Sequence, residues 1–212
     1  KQPVVIIAYR PPGNHLEDTF KDLNQWFNDI IVVGPENSHV SKVVKMDGGS
    51  WIVSDSPHIV DLWERGIRSQ VSNWYILIQD KEYLSTSLKQ SVVEATHKDP
   101  VTSVFNSFER NSFFLKKQMK YNLEWNGDPS SGLLYITNQS VSLNKIFGLK
   151  TTKSLEGELI HFGEKSLNET IENSIHRINQ LADQLYLRSP CLNKLGLISG
   201  AIKNSLKNFI NK

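Results

Sequence analysis

Four consecutive residues concentrate the groups able to do chemistry: Gln79, Asp80, Lys81 and Glu82. They follow Trp74-Tyr75-Ile76-Leu77-Ile78, a bulky apolar run that stops abruptly in charge. Such a run reads as a buried strand delivering polar groups to one edge of a sheet, where open α/β folds bind ligands. Asp80 and Glu82 therefore have the best claim among the carboxylates to touch a ligand. Asp55 reads more simply as a helix-capping or dipole-complementing residue ahead of Ser56-Pro57. The six histidines, at 15, 39, 58, 97, 161 and 176, show no zinc spacing with one another or with Cys191. Only His161, which follows an apolar run, is expected to face a cleft. Neither a phosphate loop, nor a dinucleotide-binding glycine turn, nor a Gly-x-Ser-x-Gly elbow is present.

The elements that must position the turn can be taken in chain order. Val4 to Ala8 is a β-branched run suited to a strand buried on both faces, broken by Pro11-Pro12-Gly13. Leu16, Phe20, Leu23 and Phe27 mark a helix, and Ile30 to Val33 a second strand, so a right-handed parallel connection is expected. Lys42 to Met46 is expected to form a short strand before an Asp47-Gly48-Gly49 turn. Ser56 then reads as an N-cap with Pro57 in the first helical position, and Ile59, Val60, Trp63, Ile67 and Val71 as one apolar face. After the Trp74 strand, Leu84, Leu88, Val92 and Ala95 mark another helix, with Glu82 able to start it. Val101 to Phe108 and Leu133 to Thr137 read as strands, and the segment 111–128 carries no assignable pattern. The alternation of strands and helices defines an α/β layer.

Further along, Ser166-Leu167-Asn168-Glu169 fits a capping box that opens a helix bearing Ile171, Ile175, Ile178, Leu181 and Leu185 on one face. From Leu185 to Lys212 there is no acidic residue, whereas Arg188, Lys194, Lys203, Lys207 and Lys212 are basic. That tail suits either an anionic membrane surface or docking on the domain. The expected organisation is an α/β domain over 1–165 and a basic, amphipathic helical extension over 166–212. Because a core strand already begins at Val4, the chain is compatible with being part of a longer protein.

Composition narrows the function classes. The 24 Lys and Arg nearly balance the 22 Asp and Glu, giving a formal charge of +2, so bulk charge selects no polyanionic partner. Lys116, Lys117 and Lys120 lie beside Phe113, Phe114 and Tyr121, but without an RNA-binding motif no nucleic acid is expected. One cysteine excludes an internal disulfide framework and points to a reducing, cytoplasmic setting. No apolar run reaches the roughly 18 to 20 residues of a membrane span.

The stretch from Trp74 to Ser85 resembles the strand and acidic turn of inverting family 2 glycosyltransferases, above all those of lipopolysaccharide core assembly. Gly157-Glu158-Leu159-Ile160-His161 with Ser166-Leu167 resembles a second segment of that family, and Leu195-Gly196-Leu197-Ile198-Ser199-Gly200 its closing segment. The resemblance implies a GT-A-like nucleotide-sugar-binding layer with a mainly parallel sheet. It further implies transfer of a sugar from a nucleotide-sugar donor to a glycan or lipid-linked acceptor at the cytoplasmic membrane face. Asp80, Lys81 and Glu82 are the catalytic expectations, and Tyr9, Arg10, Glu36, Gln79 and His161 the donor contacts.

Three positions depart from the family. Its two metal-holding aspartates fall on Gln79 and Lys81, which argues against a conventional divalent site, because an ammonium group repels a hard cation. Neither a metal nor another cofactor is therefore expected. Its nucleotide-holding aspartate falls in Gly34-Pro35-Glu36-Asn37, where Glu36 is the nearby carboxylate. Its catalytic base falls near Ser142-Leu143-Asn144, leaving Glu156 or Glu158 as substitutes. Two functions remain open: a divergent transferase in which Lys81, with Arg10, stabilises the departing diphosphate without metal, and a catalytically silent carbohydrate- or nucleotide-binding module.

Overall fold

The computed structural model describes residues 2–11, 15–114, 117–118, 130–137, 143 and 155–162. All of them fall within one compact unit, Lys1–Gly163. The expectations for the helix after Ser166 and for the basic tail lie outside the described residues.

The first half of the chain alternates as the apolar runs require: β1 (Val4–Ala8), α1 (Leu16–Asn24), β2 (Ile30–Gly34), α2 (Ser38–Met46), β3 (Ser50–Val53), α3 (Ile59–Ser69) and β4 (Trp74–Gln79). Then come β5 (Glu82–Leu84), α4 (Thr86–Ala95), β6 (Val104–Ser107), β7 (Arg110–Phe114), β8 (Lys117–Gln118), β9 (Gly132–Tyr135) and β10 (Leu159–Phe162). The main sheet runs β3-β2-β1-β4-β9-β6. Its first four strands are parallel, with Ile6 opposite both Ile31 and Leu77, while β9 is antiparallel to β4 and to β6. A smaller sheet runs β5-β10-β7-β8.

Every residue of β1, β2 and β4 is buried, because helices cover both faces. Val5, Ile7, Ile76 and Ile78 pack with Leu16, Phe20 and Leu23 of α1, Val44 of α2 and Leu88 and Val92 of α4. Ile6, Val33, Tyr75 and Leu77 pack with Ile59, Leu62, Trp63 and Ile67 of α3. Fully burying each such side chain contributes about 1.5–3 kcal/mol.

Four sequence expectations change. Lys42 to Met46 is not a strand but the end of α2. The Asn37 side chain accepts from Val40 N at 3.1 Å and so caps that helix, and Val44 is its inward residue. The helix stops at Gly48, whose φ of +88° suits glycine; Gly48 N and Gly49 N return to Lys45 O and Val44 O at 3.3 and 2.8 Å. The missing strand is β3, carried by Trp51, Ile52 and Val53. Ser56 is not the N-cap of α3, which is His58; its hydroxyl accepts from His58 N and donates to Asp61 Oδ2 at 2.7 Å. Val71 lies past the end of α3 and is 91% exposed, so it does not join the apolar face. Finally, α4 begins after Ser85, which caps Leu88 N, and Glu82 to Leu84 form β5 instead of a helical turn.

Gly66 shows how closely α3 meets the sheet. A methyl group there would sit 2.6 Å from Ile6 Cγ2 in the central strand. Gly66→Ala is expected to lose about 1–3 kcal/mol by overpacking, although alanine is the better helix former. The check is a lower urea midpoint at an unchanged slope; a stabilised variant would contradict this packing.

Candidate functional site

The strand order places a reversal beside β1. From β1 the chain moves outward through β2 and β3, then α3 returns it to β4 on the other side of β1. Connections therefore diverge at the carboxyl ends of β1 and β4, the position at which open α/β sheets take ligands. The residues at that point are Tyr9 and Arg10 after β1, and Gln79, Asp80 and Lys81 at the end of β4.

The turn itself is firmly held. Asp80 N donates to Ala8 O at 3.2 Å, the last rung between β4 and β1, and Thr19 Oγ1 of α1 donates to Asp80 O at 3.1 Å. One residue on, Lys81 O accepts from Phe162 N at 3.0 Å, tying the turn to β10. The Asp80 side chain is 4% exposed, and its Oδ2 accepts no hydrogen bond among the described residues. Burial pushes its pKa up from 3.8 to about 6, against the pull of Lys81, Arg10 and its own backbone N–H; the Glu82 charge adds to the rise. Arg10 and Lys81, both partly exposed, thus act electrostatically on one carboxylate at the switch point.

Glu82 points elsewhere. It is fully buried, and its Oε2 accepts from Gln79 N at 2.8 Å and from Ser131 Oγ at 2.5 Å. Its Oε1 faces Arg110 Nη2 at 3.5 Å and His161 Nδ1 at 3.7 Å. Burial is the largest influence on this carboxyl and raises its pKa. The Arg110 guanidinium and the hydrogen bond from the Ser131 hydroxyl hold it below its ordinary value all the same. The group belongs to the framework between the two sheets, away from the rim where the sequence placed it.

His161 joins the same cluster. Arg110 Nη2 lies 2.6 Å from His161 Nδ1. A guanidinium can only donate, so Nδ1 is the acceptor and the ring proton sits on Nε2. Burial, followed by the positive charges of Arg110 and Lys81, lowers the His161 pKa, while Glu82 opposes the shift. The ring is therefore neutral at pH 7 and offers a donor, not a base.

The remaining expected contacts separate. Tyr9 is 3% exposed and packs edge-on to Trp51 at 5.5 Å, with its hydroxyl accepting from Asn37 Nδ2 at 3.2 Å. Its side chain is thus committed to the start of α2. Gln79 continues the face of Tyr75 and Leu77, toward α3, opposite to Asp80. Glu36 is exposed beyond β2. Glu156 and Glu158 are exposed as well, with their amides donating to Ser91 Oγ and Ser85 Oγ of the α4 region. Of the segment holding the family's base, only Leu143 is described; it is buried, and its amide donates to Glu64 Oε1.

Three residues that complete the site escaped the sequence reading. Thr19 had a signal, as a hydroxyl inside the Leu16–Phe20–Leu23 stripe. Arg110 and Ser131 had none, since their roles depend on a second sheet invisible in local pattern. Among the described residues no three His, Cys, Asp or Glu side chains gather as metal ligands. No helix among them is long and apolar enough to cross a membrane.

The comparisons agree with this architecture. No protein-family model matches the sequence, and no curated protein matches it significantly. Among solved structures, a mannosyltransferase from Pyrobaculum calidifontis, in complex with GDP-Man and Mn2+, superposes with a TM-score of 0.51 at 6% identity. The match covers 98% of this chain and 76% of that one. The fold is therefore a GT-A-like α/β layer with a mainly parallel central sheet. A 4-diphosphocytidyl-2C-methyl-D-erythritol synthase gives 0.45 at 11% identity, over 82% of this chain and 97% of that one. A cytidylyltransferase from Leptospira borgpetersenii gives 0.45 at 12%, over 96% and 94%.

The two carboxylates should titrate with opposite consequences. Folded Asp80 holds its proton more tightly than the unfolded chain does, so its contribution to stability falls as pH rises from about 4 to about 6. Asp80→Asn should remove that fall, roughly 3 kcal/mol for a shift of about two pH units. Folded Glu82 holds its proton less tightly, so its contribution is complete above about 4.5 and is lost as pH falls through the lower folded value. Glu82→Gln should cost about 3–5 kcal/mol near neutrality, since it breaks the pairing of a fully buried carboxylate with the Arg110 guanidinium. Urea midpoints between pH 3 and 8 measure both effects; a Glu82→Gln protein as stable as wild type would refute the framework role.

Proposed function

We propose that this chain is a nucleotide-sugar-dependent glycosyltransferase that passes a sugar to a glycan or lipid-linked acceptor in cell-surface polysaccharide assembly. The observation that supports the reading best is the meeting of Arg10, Asp80 and Lys81 at the switch point of a GT-A-like sheet. Breaking the bond between the anomeric carbon and the diphosphate builds negative charge on the leaving oxygens, and fixed cations are most useful where that charge develops. Arg10 and Lys81 supply them from adjacent strands. Glu36, exposed beyond β2, is available to the nucleoside, and neutral His161 can donate from Nε2. The lipopolysaccharide-core resemblance supplies the acceptor class and an anionic membrane surface as the place of work.

The turn does not suit a divalent ion. Lys81 brings a positive charge, Gln79 faces away, and Glu82 already accepts hydrogen bonds from Gln79 and Ser131. Asp80 is left as the single carboxylate of the turn, against the several anionic oxygens that such an ion prefers. In this proposal the two cations act without metal.

A second reading has one observation of its own. With Glu82 committed to the framework, the turn offers fewer acids than its sequence promises, as a silent nucleotide- or carbohydrate-binding module would. Donor turnover separates the two. A panel of nucleotides and nucleotide sugars should include a compound that raises the melting temperature in excess chelator. Lys81→Ala should lose most of that shift and about 100-fold or more of transfer. A strict manganese requirement would contradict the metal-free proposal; a panel without response would remove the donor-binding reading; stabilisation without turnover would favour the silent module.

A further inference from the structure

Building on the transferase reading above, we infer that Phe162, Tyr83 and Asp18 seat one pyranose ring of a neutral glycan acceptor. Phe162 is the platform, Tyr83 stands as a wall beside it, and Asp18 is a carboxylate at the rim.

Strand pairing builds the platform. Tyr83 lies opposite Ile160, and Phe162 opposite Phe113, so alternation brings these four side chains to one face of the small sheet. Glu82, His161 and Arg110 occupy the other face. Among the described residues the exposed large hydrophobic side chains are Met46, Val53, Val71, Val101 and Phe162; Phe162, at 39%, is the aromatic one. Three rings hold it in place. Tyr83 meets it edge-on at 5.2 Å, Phe113 lies tilted at 6.0 Å, and His15, at the start of α1, stacks at 6.0 Å. A ring fixed by its neighbours and still open to solvent loses little freedom when a ligand covers it.

The rim is polar and acidic. His15, Asp18 and Asp22 recur at the three- and four-residue spacing that aligns side chains along a helix, and both acids act electrostatically on Tyr83. Asp22 is taken by Lys89 at 2.7 Å and Glu17 by His39 at 3.6 Å, whereas Asp18 is exposed beside the rings. The Tyr83 hydroxyl, 3.5 Å from His15 O, adds a second polar group there.

These groups select the chemistry of the ligand. A pyranose turns a face of weakly positive C–H bonds to the negative face of an aromatic ring. Its hydroxyls stand around the edge, where a carboxylate takes them in charge-assisted hydrogen bonds. An anionic lipid headgroup would meet Asp18 with like charge. A nucleobase can also stack, but the strand order assigns it elsewhere. Glu36 follows β2, Arg10 follows β1 and Lys81 follows β4, and the platform comes after Lys81, at the opposite end from the nucleoside. Phe162 N donates to Lys81 O at 3.0 Å, and Tyr83 is two residues, roughly 7 Å, beyond Lys81. A glycan seated there meets the donor from the side of Lys81 away from the nucleoside.

The test uses the full chain, with methyl β-glucoside, methyl β-galactoside and methyl β-N-acetylglucosaminide as probes. Saturation-transfer NMR, with irradiation of the protein's aromatic protons, reads their binding. Wild type should pass saturation to at least one glycoside, most strongly to the ring protons of one face, with a dissociation constant on the order of millimolar. Phe162→Ala should weaken binding about tenfold or more, and Phe162→Trp should retain it. Asp18→Asn should weaken binding about threefold or more at an unchanged melting temperature. No transfer to any probe, wild-type binding by Phe162→Ala or by Asp18→Asn, or displacement of the glycoside by uridine, guanosine or phosphatidylglycerol vesicles would each overturn the assignment. Because Asp18 is exposed, its variant decides the matter if Phe162→Ala fails to fold. The donor panel separates two failures. Glycoside binding without a donor response would end the transferase reading and leave the platform as a carbohydrate site; a donor response without glycoside binding would end this inference alone.

Discussion

Two sheets of different direction share one buried charge. The Glu82 carboxylate takes the last amide of β4, the hydroxyl just before β9, and the cation of β7, with the His161 ring of β10 facing it. A charge in a low-dielectric interior is tolerated only when its hydrogen-bonding capacity is used and a counter-charge is close. Here Gln79 N and Ser131 Oγ satisfy Oε2, and the Arg110 guanidinium at 3.5 Å supplies the counter-charge to Oε1, all from residues apart in sequence. The position of β4 relative to the small sheet, and with it the turn at Asp80 and Lys81, therefore depends on this carboxylate staying ionised and engaged.

The same constraint divides labour among neighbouring residues. Asp80 and Glu82 are two positions apart, and Asp is the stronger acid in isolation, 3.8 against 4.5, yet their surroundings reverse that order. Glu82 meets donors and a guanidinium and is held as a carboxylate. Asp80 meets mostly apolar burial, softened by Arg10 and Lys81, and holds its proton to about pH 6. The difference arises because the chain leaves one sheet and enters the other between them. Asp80 stays at the end of the parallel layer, and Glu82 turns back beneath it.

Arg110 and His161 extend this logic. With the guanidinium donating to Nδ1 and screened by Glu82, the imidazole is fixed in one tautomer and kept neutral. The small sheet thus supports the turn mechanically, through Phe162 N on Lys81 O, and sets the protonation state of a ring beside it.

Amphipathic and apolar periodicity carried much of the main layer. Val4 to Ala8, Ile30 to Val33 and Trp74 to Gln79 could be read as buried strands, and α1 and α3 as the helices between them, since burial on both faces leaves a continuous apolar signature. Lys42 to Met46 was misread because its valines fit a strand as well as a helix over so short a span; the Asn37 cap, together with Val44 packing inward, decided for α2. The Asp80 turn was visible as the place where apolar residues stop. That Glu82 faces inward, that Tyr9 is tied to Asn37 and Gln79 to the far face, and that Arg110 and Ser131 belong to the site could not be read locally. Those outcomes come from pairings between strands far apart in the chain, as β5 with β10, whose paired residues are 75 to 79 positions apart, and β10 with β7, 49 apart; a sequence pattern records which face a residue prefers but not which distant charge will be waiting there.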